Sequence, residues 1–392
     1  MSTISAIAKP IHSVIDDIKE MCLMWIEGED VAIPYMVGPP GTAKTSLALK
    51  LIQEENWNCV HSHFSLKPIE SISGMPDFKD VTINNVNYKG TIWRLPDILT
   101  KVYEVAKAEP DKPCIWILDD FHLGSAGHYY LAYEMFSQDR SLHTYEIPSN
   151  VAYLLAGNEG AKAGSRTIFS AVINRIARLP ITMDFNFWKE EYAMLNNVNS
   201  KVVSFLSNNN YQRWFIGEEQ TGDTWPSPRS WTRFARWLSR QEEKGLVLDH
   251  DRIAYMCAAH VGGSASADFA NFHLIYSKIL MDQVFDGKIS IVIPADMLNR
   301  YIYMIAATLE LTHRSAGKNK EKDISKPLKI YCDIVGQMAS IASEIAVVGL
   351  KEVVLLGKTL GMSKLYRTVM DTLRANVSST IVNKLVADIS QL

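Results

Sequence analysis

The sequence predicts an α/β fold: a parallel sheet covered by helices, followed by an all-helical second half. Three observations carry that expectation. Short apolar runs alternate with stretches of helical periodicity between residues 31 and 183, the pattern of repeated strand–helix–strand units. The first run ends in Gly38-Pro39-Pro40-Gly41 and passes into a helical pattern, so a tight loop joins a strand to a helix. From Phe185 onward the strand signals fade, and Trp, Leu, Ile and Met recur at helical spacing.

Taken in order, Ile4, Ile7, Ile11, Val14, Ile18, Cys22 and Trp25 form one face of a first helix, with Asp16, Asp17, Lys19 and Glu20 opposite. Strands are expected at 31–37, 59–66, 114–118, 151–156 and 177–183, which makes a five-stranded parallel sheet. Helices are expected at 45–52, 97–108, 126–138 and 167–174. Residues 81–93 break the alternation, because β-branched and aromatic runs flank Asn84-Asn85. They read as a hairpin insert, about 79–94, between the second and third strands. The domain plan is an αβα unit over 1–185, a helical domain over 186–312, a polar linker from 313 to 326 and a helical C-terminal extension over 327–392.

Composition excludes several classes. Across 392 residues, 40 Lys and Arg stand against 43 Asp and Glu, a net charge of −3. That balance excludes a histone-like polycation and an acidic disordered tail. A chain of this length and 47% hydrophobic content buries a core without disulfides or structural metals. Cys22, Cys59, Cys114, Cys257 and Cys332 are scattered, odd in number and never in a CxxC pair, which points to a reducing, cytoplasmic setting. No secretory signal is visible at the start. The apolar stretch 330–357 is interrupted by Asp333, Glu344, Lys351 and Glu352, so no membrane span is expected.

The chemistry begins at Gly38-Pro39-Pro40-Gly41-Thr42-Ala43-Lys44-Thr45. Between a strand and a helix, such a string is a phosphate-binding loop. Its glycines let successive backbone N–H groups face phosphate oxygens, and the helix adds its N-terminal partial charge. Lys44 would neutralise the β- and γ-phosphates of ATP, and the Thr45 hydroxyl would ligate Mg²⁺. Asp119 and Asp120 end the apolar run Cys114-Ile115-Trp116-Ile117-Leu118. Asp119 would support the metal, and Asp120 stands where a base polarises attacking water. Asn158 closes another apolar run and could hydrogen-bond that water and the γ-phosphate. Arg175 and Arg229 are candidate phosphate-charge stabilisers, with Arg166, Arg178, Arg233 and Arg236 as nearby competitors. His61 and His63 alternate on one strand. Without a Cys or a second His pair they read as strand histidines rather than as metal ligands. Trp214, Trp225, Trp231 and Trp237 lie beside arginines, and at helical spacing they read as core rather than as base-stacking platforms.

The order GPPGTAKT, ILDD, LLAGNEG, NRI and SPRSW resembles the AAA+ ATPases, and among them the MoxR branch, over about residues 1–310. The resemblance implies a P-loop AAA+ αβα sandwich followed by a helical lid. It implies Walker A roles for Lys44 and Thr45, and Walker B roles for Asp119 and Asp120. Asn158 becomes sensor 1, Arg175 the arginine finger acting on a neighbouring subunit, and Arg229 sensor 2. The hairpin falls where the wider clade carries an insertion in its second helix. Two departures stand out: Asp120 replaces the family's Glu, and Ile176-Ala177-Arg178 lacks its usual Phe, leaving Arg178 a rival finger. The resemblance further implies a homo-oligomeric ring, hexameric by expectation, a protein client, and a partner with a von Willebrand factor A domain. The alternatives are a nucleic-acid-stimulated motor, which the net charge opposes, and a nucleotide-dependent scaffold with weak turnover.

Overall fold

The computed structural model describes residues 8–158, 168–193, 195–196, 198–208, 211–217, 223–315, 324–359 and 365–390. Two compact units divide the chain, Met1–Asp184 and Phe185–Leu392.

The first unit is a layered α/β structure. Its elements are β1 (Lys9–Pro10), α1 (Ile15–Ile26), β2 (Ile33–Gly38), α2 (Lys44–Glu54), β3 (Asn58–His63), α3 (Ile69–Ser73), β4 (Pro76–Ile83), β5 (Val86–Trp93), α4 (Asp97–Ala108), β6 (Cys114–Asp119), α5 (Ala126–Met135), β7 (Ser141–Leu142), β8 (Tyr145–Glu146), β9 (Val151–Asn158), α6 (Ser170–Ile173) and β10 (Ile176–Thr182). The central sheet has the order β1-β10-β2-β9-β6-β3, and every pair in it is parallel. β2, β6 and β9 are apolar and buried along nearly their whole length, as strands covered on both faces must be. On one face Tyr35, Val60, Trp116, Leu118, Phe121, Tyr129 and Leu155 form a continuous core.

The expected five strands are therefore present, and a sixth extends the sheet. β1 adds only Lys9 and Pro10, opposite Ile181 and Thr182. Proline has no N–H for a further ladder bond, which suits it to an edge. This addition also shortens the first helix. The chain passes through a 3-10 turn at Ile11–Ser13 before α1 begins at Ile15, so Ile11 lies outside the helix, and Ile4 and Ile7 fall outside the described residues. Ile18 and Cys22 are buried as the periodicity predicts.

The hairpin is longer than expected, β4 and β5 together covering 76–93. Asn84 and Asn85 both take positive φ, 51° and 63°, the left-handed pair that a two-residue turn requires. The small β7–β8 ribbon was not anticipated. Helix α6 is short, and the start of the expected 167–174 helix lies outside the described residues. Arg140 holds the chain before β9. Its guanidinium donates to the carbonyls of Trp25 (3.1 Å), Ser149 (3.1 Å) and Val151.

The second unit is helical among its described residues. It contains α7 (Phe185–Trp188), a π-helical turn (Lys189–Ala193), α8 (Ser200–Ser207), α9 (Pro228–Glu243), α10 (His250–Val261), α11 (Gly263–Lys278), α12 (Met281–Asp286), α13 (Met297–Ser315), α14 (Ser325–Ile341), α15 (Ser343–Thr359), α16 (Leu365–Asn376) and α17 (Ser379–Ser390). Helices α8, α9 and α11 meet through aromatic edges: Trp231 lies 5.5 Å from Phe205 and 5.9 Å from Phe269, centroid to centroid. Trp231 is fully buried, and its indole N–H donates to the Trp214 carbonyl at 2.6 Å. Helices α12–α17 enclose a second core containing Met304, Tyr331, Val335, Leu350, Val369 and Leu385. Among the described residues no helix is long and apolar enough to cross a membrane.

Candidate functional site

In a parallel sheet all carboxyl ends lie on one edge, and the strand order decides what meets there. Here β2 delivers the phosphate-loop string, β9 delivers Asn158, β6 delivers Asp119 and Asp120, and β3 delivers His61 and His63. The register sets Gly38 directly beside Asn158 and His63 beside Asp119.

Around the loop the backbone leaves ordinary space. A Cβ on Gly38 would lie 2.4 Å from the Ile181 carbonyl oxygen, so glycine is required where β2 runs against β10. Gly41 has φ +79° and Ala43 φ +58°, with Ala43 the left-handed residue immediately before α2. These turns bring Lys44 back over the loop. Its Nζ is buried and donates to the carbonyls of Gly38 at 2.9 Å and Pro39 at 2.8 Å, with the Thr42 hydroxyl at 3.5 Å. Thr42 itself donates to the Pro39 carbonyl at 2.8 Å. The loop is thus closed around the lysine, and Pro40 completes its turn.

The Thr45 hydroxyl donates to Asp119 Oδ2 at 2.7 Å. That separation tests the implied Mg²⁺ directly. Metal–oxygen bonds of about 2.0–2.1 Å in an octahedron place adjacent oxygens about 2.9 Å apart. The two oxygens already stand at such an edge, and the all-oxygen donor set suits a hard cation.

Asp120 leaves the strand in the left-handed region, φ 55°. Its backbone N–H donates to Asp119 Oδ1 at 2.9 Å, so one carboxylate oxygen fixes the turn while the other faces Thr45. Neither histidine is idle. His61 Nε2 lies 3.2 Å from Asp119 Oδ2, and His63 Nδ1 lies 3.0 Å from Asp120 Oδ2. The sequence signal was their alternation on one strand; missing from it was that β3 pairs with β6. A second unanticipated residue is His122. It is buried, and its Nδ1 accepts the Asn158 backbone N–H at 3.2 Å, tying the turn after β6 to the end of β9.

The arginines lie elsewhere. Arg175 precedes β10 at the amino edge of the sheet, where its carbonyl accepts from Ile33 N–H at 2.9 Å. The length of β2, roughly 16 Å at strand rise, separates that edge from Gly38. Its guanidinium packs 4.1 Å over the Tyr133 ring and donates to the Ala171 carbonyl at 2.9 Å. Arg178 is exposed on β10 opposite Tyr35, and Arg166 lies outside the described residues. Arg229 sits in the first turn of α9 in the second unit, exposed, after the Ser227 capping box. The structure therefore gathers Gly38 to Thr45, Asp119, Asp120 and Asn158 on one edge, and it does not bring Arg175 to them.

These features define the class: a parallel αβα sheet carrying a phosphate-loop string and paired carboxylates at its carboxyl edge, followed by a helical C-terminal region. Among solved structures, the chain is similar to a RuvB Holliday junction branch migration motor of Thermotoga maritima at 13% identity. That match covers 95% of this chain and 94% of the other, with a TM-score of 0.29. Two RuvB mutants from the same organism match at 14% and 13% identity, each over 76% of this chain and 82% and 81% of theirs, both with a TM-score of 0.36. No family model matches the chain, and no curated protein does.

Proposed function

We propose that the chain is a AAA+ ATPase of the MoxR type, working as a homo-oligomeric ring, hexameric by resemblance, that remodels or assembles a protein client. The observation that carries the ATPase reading is the meeting of Lys44, Thr45 and Asp119 at one sheet edge, with the Thr45 hydroxyl 2.7 Å from Asp119 Oδ2. When bound, Mg²⁺ would be held through Thr45 and Asp119 and would neutralise phosphate charge. ATP takes over the Lys44 ammonium from the loop carbonyls, and the loop N–H groups receive its phosphate oxygens. Asp120 accepts the proton of the attacking water, and Asn158 orients that water against the γ-phosphate. Being one methylene shorter than glutamate, Asp120 stands farther from the water, which favours modest turnover.

Arg175 enters as a residue donated to a neighbouring subunit, because its own nucleotide lies across the sheet. A heterologous contact of this kind closes into a ring or runs into a filament. Arg229 is assigned to the nucleotide by resemblance alone, as is a partner with a von Willebrand factor A domain.

Fluorescent-ATP titration tests the loop. Lys44→Ala removes charge-assisted bonds worth about 1.5–3 kcal/mol, so affinity should fall roughly 10- to 100-fold while the protein stays folded. Unchanged affinity refutes the assignment. Mixing Lys44→Ala with Arg175→Ala subunits should recover part of the phosphate release, since some interfaces then pair an intact loop with an intact arginine. A mixture that co-assembles yet stays as inactive as its parts transfers the role to Arg178 or Arg166. Turnover raised by DNA or RNA would replace the protein client with a nucleic acid.

A further inference from the structure

We propose that His61, His63 and Asp119 form a binding site for a divalent transition-metal ion of the zinc class, separate in donor chemistry from the oxygen pair that suits Mg²⁺. The sheet builds it. Side chains two apart on β3 share a face, so both imidazoles project alike, and the parallel pairing with β6 sets His63 opposite Asp119. One nitrogen or oxygen donor from each of the three lies within 4.8 Å of the others. Metal–ligand bonds of about 2.0–2.2 Å hold tetrahedral donors about 3.4 Å apart. The His61 Nε2 to Asp119 Oδ2 separation, 3.2 Å, already matches. The wider gap closes by side-chain rotation of His63, which is 55% exposed. Asp120 Oδ2, 3.0 Å from His63 Nδ1, supplies a fourth donor, the second carboxylate, or the partner that orients the ring.

Imidazole selects zinc, cobalt or nickel over magnesium, whereas hydroxyl and carboxylate together suit magnesium. Asp119 is therefore shared. Its Oδ2 faces Thr45 on one side and His61 on the other. A transition-metal ion seated on the histidines draws Asp119 away from Thr45, so the two metals compete for one carboxylate. The binding stands independently of the ATPase reading; the competition rests on that reading.

Cobalt(II) serves as the probe, titrated into the chelator-treated full chain without nucleotide and read by visible absorption. The expected result is one saturable ion per chain with a four- or five-coordinate spectrum. His61→Ala should weaken it about 100-fold, and His63→Gln at least about tenfold. Circular dichroism checks the fold, and His63→Gln, changing a side chain more than half exposed, decides the matter if His61→Ala fails to fold. Equal binding in both variants overturns the site, as does the absence of saturable binding in the parent. A thiolate charge-transfer band would also overturn it, by placing the ion on a cysteine. In a second arm, zinc should suppress Mg-ATP turnover, and His61→Ala should raise the zinc needed for half-suppression about 100-fold. Cobalt binding without turnover defeats the ATPase reading alone. Turnover indifferent to zinc, together with no cobalt binding, defeats the metal site alone.

Discussion

The strand-end carboxylates and histidines of the first unit and the buried ionisable groups of the second sit in opposite surroundings. In the first, Asp119, Asp120, His61 and His63 stand at strand ends, between 15% and 55% exposed, on backbone that includes two left-handed non-glycine residues, Ala43 and Asp120. In the second, two ionisable groups are locked away, although others such as Arg229 are exposed. Lys189 is 2% exposed and bonds Glu352 at 2.5 Å, and His273 is buried beside Lys201 and Glu242. The difference teaches where chemistry can live. A rigid parallel sheet carries strained loop ends and leaves their charges available to a ligand, whereas the interior of a helix pack tolerates charge only when it is paired.

Removing a displayed charge should therefore cost activity and spare the fold. On the proposed ATPase reading, with Asp120 as its base, Asp120→Asn should lower ATP turnover by about 10²- to 10⁴-fold, the usual weight of a general base, while leaving ATP affinity and the unfolding midpoint near the parent's. The asparagine can still meet His63. Steady-state phosphate release beside a urea melt decides it. Parent-level turnover would move the base elsewhere, and a collapsed midpoint would erase the contrast between the units.

The converse holds in the second unit. Lys189→Met leaves the Glu352 carboxylate without its partner in a mostly buried position, at a cost of about 3 kcal/mol. Adding Glu352→Leu should return most of that loss, because two apolar side chains can fill the space of a buried ion pair. A loss below about 1 kcal/mol, the worth of a surface pair, would mean the pair is not locked.

A pH scan sharpens the same point. Burial, and after it the Lys201 charge, hold the His273 imidazole down at about 4, with Glu242 opposing. The unfolded chain titrates this group near 6.5. Between those values the unfolded state binds more protons, so stability is full above about 6.5 and falls as the pH drops toward 4. The expected loss is about 2–3 kcal/mol. His273→Phe should flatten that part of the profile. An unaltered profile would show that His273 does not set the acid sensitivity.

Legibility in the sequence followed the range of the interaction. The strand–loop–helix junction and the apolar strands are local patterns, and β2, β6, β9 and the helix Asp97–Ala108 lie where periodicity puts them. Two-residue strands such as β1 and β7 carry no period to detect. The pairing of β3 with β6 is a long-range fact, so the sequence offered His61 and His63 as a pair but not Asp119 and Asp120 as their partners. The Asn158 to His122 bond was hidden for the same reason. The left-handed backbone at Ala43 has no signal in the residue itself, since alanine ordinarily avoids that region.

That strain yields the smallest effect and the cleanest measurement. Ala43 holds φ 58° and ψ 24°, a conformation that costs a residue with a Cβ about 1–2 kcal/mol. Glycine escapes that cost but gives the unfolded chain more freedom, worth about 0.4–1 kcal/mol. Ala43→Gly should therefore stabilise the first unit by roughly 0.5–1 kcal/mol, seen as a higher urea midpoint. ATP affinity should hardly change, because the loop keeps the same backbone path. Ala43→Val should move the midpoint the other way, since a β-branched side chain is still less at home in that region. If Ala43→Gly lowers the midpoint while Ala43→Val is tolerated, residue 43 has an ordinary negative φ in solution. The loop would then reach the geometry drawn here only with nucleotide bound, and the contrast between a strained first unit and a relaxed second one would belong to the liganded protein alone.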